Sequence, residues 1–294
     1  MLCCQSLIPL PAVITRFAPS PTGSLHLGHA YAAIVAHDLA RSRNGLFLLR
    51  FEDIDTTRVR EEFYAAIEND LTWLGLTWDG PPLRQNTPAR TAAYSQALTQ
   101  LIERQIAYPC FCTRRAIEIE IAGLAQAPHG PEGPLYPGTC RQLTPSQRAT
   151  LLDAQAPHCW RLDAATAAQH VGPLTINDLL HGQQHVDPSL LGDVILARKD
   201  IATSYHLAVV IDDAAQQITH VTRGDDLLPS THVHRLLQAL LGLPTPTYLH
   251  HPLVCDDLGR RLAKRHDSLS IASLRSSPDF TQQSLRKLLP PLPW

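Results

Sequence analysis

A chain of 294 residues, 44% hydrophobic and 18% charged, can bury a sizeable core, and its length suggests two domains or one domain carrying a large insertion. Its 25 basic and 27 acidic side chains leave a formal charge of -2, which excludes a global basic field; a nucleic-acid partner would have to meet a local basic patch. No apolar run reaches the roughly 20 residues that span a bilayer, and Met1 to Val13 lacks a basic start and is broken by Pro9 and Pro11, so it is not read as a signal peptide and a cytoplasmic protein is expected.

The β-rich run Ala12 to Phe17 stops at Pro19, and Ala18-Pro19-Ser20-Pro21-Thr22-Gly23 must then form a tight, stiff loop. From Leu27 to Arg43 apolar residues recur at helical spacing up to the stop signal Asn44-Gly45. Leu46 to Phe51 reads as a buried strand closed by Glu52-Asp53-Ile54-Asp55, completing a strand, loop, helix, strand unit of the parallel-sheet type. Helical periodicity returns in Arg60 to Leu74 and in Thr91 to Gln105, on either side of the turn-rich Trp78-Asp79-Gly80-Pro81-Pro82. Between Tyr108 and about Gly192 the pattern weakens into short strand candidates and Pro and Gly clusters, the expected insertion. A second half follows with a strand at Asp193 to Arg198, the apolar Tyr205 to Ile211, His220 to Arg223, and a helix from about Thr231 to Leu241. Val254 to Ser270 is expected to be a strand and a polar, basic loop, and short helices close the chain.

Three groups of residues carry chemistry. His26-Leu27-Gly28-His29 opens a helix, where unpaired N–H groups and the positive dipole end suit a triphosphate. Two imidazoles there can donate to phosphate oxygens as pyrophosphate leaves, and Gly28 lets a nucleotide approach the backbone. Arg261-Leu262-Ala263-Lys264-Arg265 is a basic loop that could place an ammonium on the α- or β-phosphate. Of the seven cysteines, Cys110, Cys112 and Cys140 fall in one segment, which in a reducing compartment suggests a metal before a disulfide.

The stretch from Arg16 through Pro19, Ser20 and Pro21 to His26-Leu27-Gly28-His29 closely resembles the signature of the glutamyl-tRNA synthetases, class I aminoacyl-tRNA synthetases in which the last four residues are the HIGH motif. Arg261 to Arg265 resembles the matching KMSKS loop in a degenerate form, with Arg261 for the first lysine and Ala263 for the serine, so that Lys264 alone transfers. Arg50 to Asp55 and Arg223-Gly224-Asp225-Asp226-Leu227 match as well, and the resemblance runs from about Ile14 to Ser270. It implies ATP, with Mg2+, bound by His26, Gly28, His29 and Lys264, of which His26, His29 and Lys264 are catalytic. Glutamate brings two carboxylates and an ammonium, so its pocket needs guanidinium groups and a carboxylate of its own. The resemblance assigns Arg16, Tyr205 and Arg223 to the side-chain carboxylate and Ser20 and Glu52 to the amino-acid head, within a substrate-binding run that also includes Phe17, Ala18 and Pro19. A Cys-x-Cys and Tyr-x-x-x-Cys arrangement, Cys110, Cys112, Tyr136 and Cys140, resembles the zinc module of the family's short paralogues. The interval before Tyr136 is longer here, which leaves Tyr136 or His129 as the fourth Zn2+ ligand.

The expected fold is α/β: a Rossmann-type parallel sheet of the class I aminoacyl-tRNA synthetases with an inserted zinc-containing subdomain, short C-terminal helices and no anticodon-binding domain. The expected divisions are an N-terminal extension at 1–13, the first half of the catalytic domain at 14–107, the insertion at 108–192, the second half at 193–253, and the KMSKS-like loop with C-terminal helices at 254–294. Because only Ile271 to Trp294 follow the basic loop, the chain resembles the short paralogues, which activate glutamate without tRNA and esterify it to queuosine in the anticodon of tRNA(Asp). The implied partners are glutamate, ATP and queuosine-bearing tRNA(Asp), engaged by a monomer without a membrane, with Arg114, Arg115 and Arg265 as local phosphate contacts. The alternatives are a truncated glutamyl-tRNA synthetase charging a tRNA 3′ end and a non-catalytic paralogue that binds amino acid or tRNA.

Overall fold

A computed structural model describes residues 13–123, 129–131, 133–255 and 270–294. Strand β1 (Ile14–Phe17), helix α1 (Leu27–Ser42) and strand β2 (Leu46–Phe51) form the first unit, with β1 and β2 parallel and Arg16 opposite Leu48. The return from α1 is tight: Asn44 is left-handed, and a Cβ on Gly45 would stand 1.9 Å from the Val13 carbonyl oxygen, so only glycine fits there. Helix α2 (Glu61–Trp73), the short strand β3 (Leu83–Arg84) beside β2, and helix α3 (Pro88–Glu103) complete this half. Helix α3 starts three residues before its apolar periodicity does, because Pro88 in the first turn has no N–H to lose.

The middle of the chain builds an antiparallel sheet ordered β10-β7-β4, from β4 (Ala107–Cys110), β7 (Cys159–Leu162) and β10 (Ile195–Ala197). Around it lie α4 (Arg114–Gly123), the two-residue strands β5 (His129–Gly130) and β6 (Gly133–Pro134), α5 (Pro145–Asp153), α6 (Ala164–Val171) and the hairpin β8 (Thr175–Asp178) and β9 (Gly182–His185).

The last part returns to the parallel sheet. Helix α7 (Tyr205–Ala215), strand β11 (His220–Gly224), helix α8 (Leu228–Leu240) and strand β12 (Thr247–His251) follow one another, and β11 and β12 run parallel with Arg223 opposite His250. The Thr219 N–H donates to the Ile14 carbonyl at 3.0 Å, which sets β11 beside β1. The order is therefore β3-β2-β1-β11-β12, with β8 joining the outer edge of β12. The strand Thr247–His251 was not expected from the sequence, and nearly all of the strand and basic loop expected from Val254 to Ser270 lies outside the described residues. Pro252 cannot donate to a ladder, and the buried pair His250 and His251 disguises the strand as a polar turn. Helices α9 (Ile271–Arg275) and α10 (Gln282–Leu288) pack Ile271, Leu274 and Leu285 into the core formed by α1, α2 and the sheet, with Ile34, Phe47, Leu49, Ile67 and Leu71 at its centre. A second core joins α3, α7 and α8 to the antiparallel sheet through Leu101, Leu162, Leu196, Leu207, Val210, Val233 and Leu237. No helix among the described residues is long and apolar enough to cross a membrane.

Candidate active site

A cavity of about 480 Å³ opens where the C-terminal ends of β1 and β11 meet the N-terminus of α1, the edge at which open parallel sheets hold ligands. Arg16, Phe17, Ala18, Pro19, Ser20, His26, Gly28, His29, Glu52, Tyr205 and Arg223 all line it, although they come from four separate stretches of chain. Lys264 and the rest of the basic loop lie outside the described residues. The first described residue after that loop is close at hand: Ser270 bridges His26, and the Ile271 N–H donates to the Leu25 carbonyl at 2.8 Å.

The helix end is organised by its own histidines. Nδ1 of His26 accepts from the Gly28 N–H at 3.2 Å, and Nδ1 of His29 accepts from the His26 N–H at 3.3 Å, a reciprocal cap in which imidazoles replace the usual hydroxyl and carboxylate. Because both Nδ1 atoms accept, each neutral ring carries its proton at Nε2, the form that donates to an oxyanion. The rings lie 3.8 Å apart. A Cβ on Gly28 would stand 3.2 Å from Cε1 of His26, so the glycine keeps that ring in place as well as opening the backbone to a ligand.

The charged groups fall into two sets. Arg16 Nε donates to Asp213 Oδ1 at 2.9 Å, and Arg50 Nη2 reaches the same oxygen at 2.5 Å. Burial opposes ionisation of Asp213, but Arg16 and Arg50 hold its carboxyl below the usual range. Arg16 is thus already paired within the protein, and two guanidinium groups share one carboxylate. Glu52, whose N–H donates to the Pro19 carbonyl at 3.0 Å, is pushed up to about 7 by burial against the opposing pull of Arg50 and Arg16.

Arg223 is different. It is 5% exposed, and its partners are His250 Nε2 at 3.2 Å, Tyr205 OH at 3.2 Å, His234 Nδ1 at 3.1 Å and Thr231 Oγ1. Among the described residues none of these partners is a carboxylate, so a buried cation faces the cavity with its charge unneutralised. Asp213, His234 and His250 were not legible in the sequence. The one available signal for His250 was its place at a strand end before Pro252, and that matters only once β12 is known to lie beside β11.

A separate cluster stands at the end of β4. The sulfur atoms of Cys110, Cys112 and Cys140 lie within 4.8 Å of one another, and Cys112 Sγ is 3.4 Å from Cys140 Sγ. Tyr136 OH is 3.4 Å from Cys110 Sγ and 3.5 Å from Cys112 Sγ, and it accepts from the Cys140 N–H at 2.9 Å. Around a tetrahedral zinc with ordinary bond lengths, neighbouring ligand atoms stand about 3.5 to 3.8 Å apart, and this donor set fits. Hydrogen bonding, first from Cys159 and then from Tyr136 and Arg161, outweighs burial and lowers the Cys110 thiol towards the thiolate a metal needs. The long interval before Tyr136 therefore does not remove it from the cluster; the side chain of His129 lies outside the described residues.

Residues 12–289 match the family model described as tRNA synthetases class I (E and Q), catalytic domain. The chain is 48% identical over 270 residues to a glutamyl-Q tRNA(Asp) synthetase of Rhodobacter capsulatus, an alignment covering 90% of this chain and 95% of that protein. It is 42% identical over 288 residues to a glutamyl-Q tRNA(Asp) synthetase of Geobacter sulfurreducens, covering 97% of this chain and 85% of that protein. Among solved structures it is similar to a glutamate-tRNA synthetase from Elizabethkingia anophelis, with a TM-score of 0.74 and 31% identity over 86% of this chain. The match covers 52% of that longer protein, so the chain spans about half its length.

Proposed function

Since this chain belongs to the class I tRNA synthetases of the glutamate and glutamine type, catalytic domain, we propose that it is a ligase that activates glutamate with ATP without tRNA and transfers it to queuosine in the anticodon of tRNA(Asp). The observation that carries the amino-acid assignment is the buried Arg223 cation, which has only uncharged partners and shares a cavity with a histidine-capped helix end. A side-chain carboxylate is the ligand group that completes such a site. Glu52 then takes the ammonium, Ser20 and the backbone of 16–20 take the head of the amino acid, and His26 and His29 donate to phosphate oxygens where charge changes as pyrophosphate departs. The acceptor assignment is supported by the names of the curated relatives, whose length this chain nearly matches. Glutamate-dependent ATP–pyrophosphate exchange without tRNA tests the first half, with labelled glutamate passing to queuosine-bearing tRNA(Asp) and not to the same tRNA lacking the modification as the test of the second. Transfer to the 3′ end of unmodified tRNA(Glu) would overturn it.

The raised Glu52 carboxyl makes a prediction with a definite sign. An ammonium binds the ionised form, so protons that occupy Glu52 below about 7 must leave on binding, and affinity falls with acid. Calorimetric affinity for glutamate is expected to rise about tenfold from pH 6 to about pH 8 and then level off. Glu52→Gln removes that slope and weakens binding at pH 8 and above. A flat profile in the unaltered protein would count against the assignment.

The thiol cluster is proposed to hold a structural Zn2+ through Cys110, Cys112, Tyr136 and Cys140, where the metal closes a tetrahedron and pins β4 to the segment around Cys140. Metal analysis of protein purified without chelator is expected to find about one zinc per chain. Cys140→Ser should lose most of the metal and melt at lower temperature, and an unaltered melting curve after zinc removal would refute the structural role.

A further inference from the structure

His234 and His250 have no part in the chemistry above, yet they are 2% and 0% exposed and both lie against Arg223. A guanidinium can only donate, so each contact fixes a tautomer. Nε2 of His250 accepts from Arg223 Nε, which leaves the proton on Nδ1, 2.6 Å from Asp178 Oδ2. Nδ1 of His234 accepts from Arg223 Nη1, which leaves the proton on Nε2, 3.2 Å from Nδ1 of His206. Burial and the neighbouring Arg223 charge keep His234 and His206 neutral, and burial likewise lowers His250. The other hydrogen of Nη1 goes to Tyr205 OH, and one hydrogen of Nη2 goes to Thr231 Oγ1. Four of the five guanidinium donors are thereby taken by acceptors of the protein, and one Nη2 hydrogen remains. Tyr205, accepting from Arg223, keeps its own hydroxyl proton to give.

We propose that His234 and His250 are specificity-determining positioning residues, which grip the sides of Arg223 so that its last N–H and the Tyr205 hydroxyl face the cavity together as a pair of donors. The two oxygens of a carboxylate satisfy such a pair. The amide of glutamine sets an N–H2 against one of them, a donor-against-donor mismatch that costs most where the donors are buried. Asp178 and His206 act one step further out by holding the tautomers. The inference rests on the reading of Arg223 as the anchor of the glutamate side chain.

The test is pyrophosphate exchange with glutamate and with glutamine as rival substrates, in the full chain. His234→Phe and His250→Phe keep approximate ring size and remove the acceptor; His234→Asn and His250→Gln return an acceptor near the lost nitrogen. The phenylalanine variants are expected to raise the glutamate KM about tenfold and to narrow the preference for glutamate over glutamine by at least about tenfold, with the ATP KM unchanged. The Asn and Gln variants should recover most of both. A preference that stays intact in the phenylalanine variants overturns the proposal, as does an equal defect in all four variants accompanied by a raised ATP KM. If the phenylalanine variants do not fold, His206→Phe decides, since it spares every direct contact of Arg223: a narrowed preference supports the relay and an unchanged one overturns it. Arg223→Gln separates the two levels. If it leaves the glutamate KM unchanged, the anchor reading itself fails; if it raises that KM while the histidine variants do not, only the positioning role fails.

Discussion

Arg223→Gln is expected to raise the glutamate KM in pyrophosphate exchange by about a thousandfold, on the order of 4 kcal/mol, while the ATP KM changes little. The size follows from the setting. Arg223 is 5% exposed and its direct protein partners are uncharged, so a substrate carboxylate would be the one carboxylate in direct contact with it among the described groups, at a site where water competes poorly. Removing the cation strands the substrate carboxylate among Tyr205, Thr231 and neutral imidazoles. Arg16→Gln should behave differently, because Arg16 already pairs with Asp213 and its loss also leaves Arg50 and Asp213 to rearrange. That variant is expected to lower thermal stability as well as affinity, whereas Arg223→Gln acts chiefly on the substrate. An unchanged glutamate KM in Arg223→Gln would remove the strongest support for glutamate as the substrate.

Replacement of His26 should divide its two duties. Its Nδ1 caps α1, and its Nε2 proton is proposed to meet a phosphate oxygen. His26→Asn keeps a cap acceptor and loses the reach, so kcat for adenylate formation is expected to fall by about a hundredfold to a thousandfold with little change in melting temperature. His26→Ala should show the same fall in kcat and in addition lose about 1 kcal/mol of stability with the cap. If the Asn variant turns over at the unaltered rate, the imidazole is only a cap and the phosphate role belongs elsewhere. His29→Ala provides the companion measurement, since it loses the reciprocal bond to the His26 N–H together with its own donor.

The chemistry that could be read in the sequence is the chemistry that is local. The strand Ile14–Phe17, the proline-locked loop and the helix from Leu27 are contiguous, and the rigidity of Pro19 and Pro21 makes their path a property of that segment alone. His26, Gly28 and His29 sit within one helical turn just after a strand and a proline-locked loop, and that setting made them legible, whereas Cys110 and Cys112 within three residues left a metal and buried thiols equally open without the family resemblance. The middle and final elements were harder. Tyr205 to Ile211, apolar except for His206, is helical because one face packs on α3 and the antiparallel sheet while Asp212 and Asp213, just beyond it, turn inward to Arg90 and to the buried Arg16 and Arg50, a division that composition does not display.

What the sequence determined by itself was the family of folds, the histidine-capped helix start and the residue types that a glutamate pocket would need. What only the tertiary structure decided was which charges are spent inside the protein and which are left for a ligand. Arg16 meets Asp213 across 197 residues, His250 meets Asp178 across 72, and Arg223 meets His250 because β11 and β12 pair in parallel at that register. Two arginines that look equivalent in the sequence are therefore unlike in the fold. A guanidinium has the same chemistry wherever it is written, but its worth to a substrate depends on the partners and the water that remain around it, and those are set by the neighbours that the sheet order brings to its side.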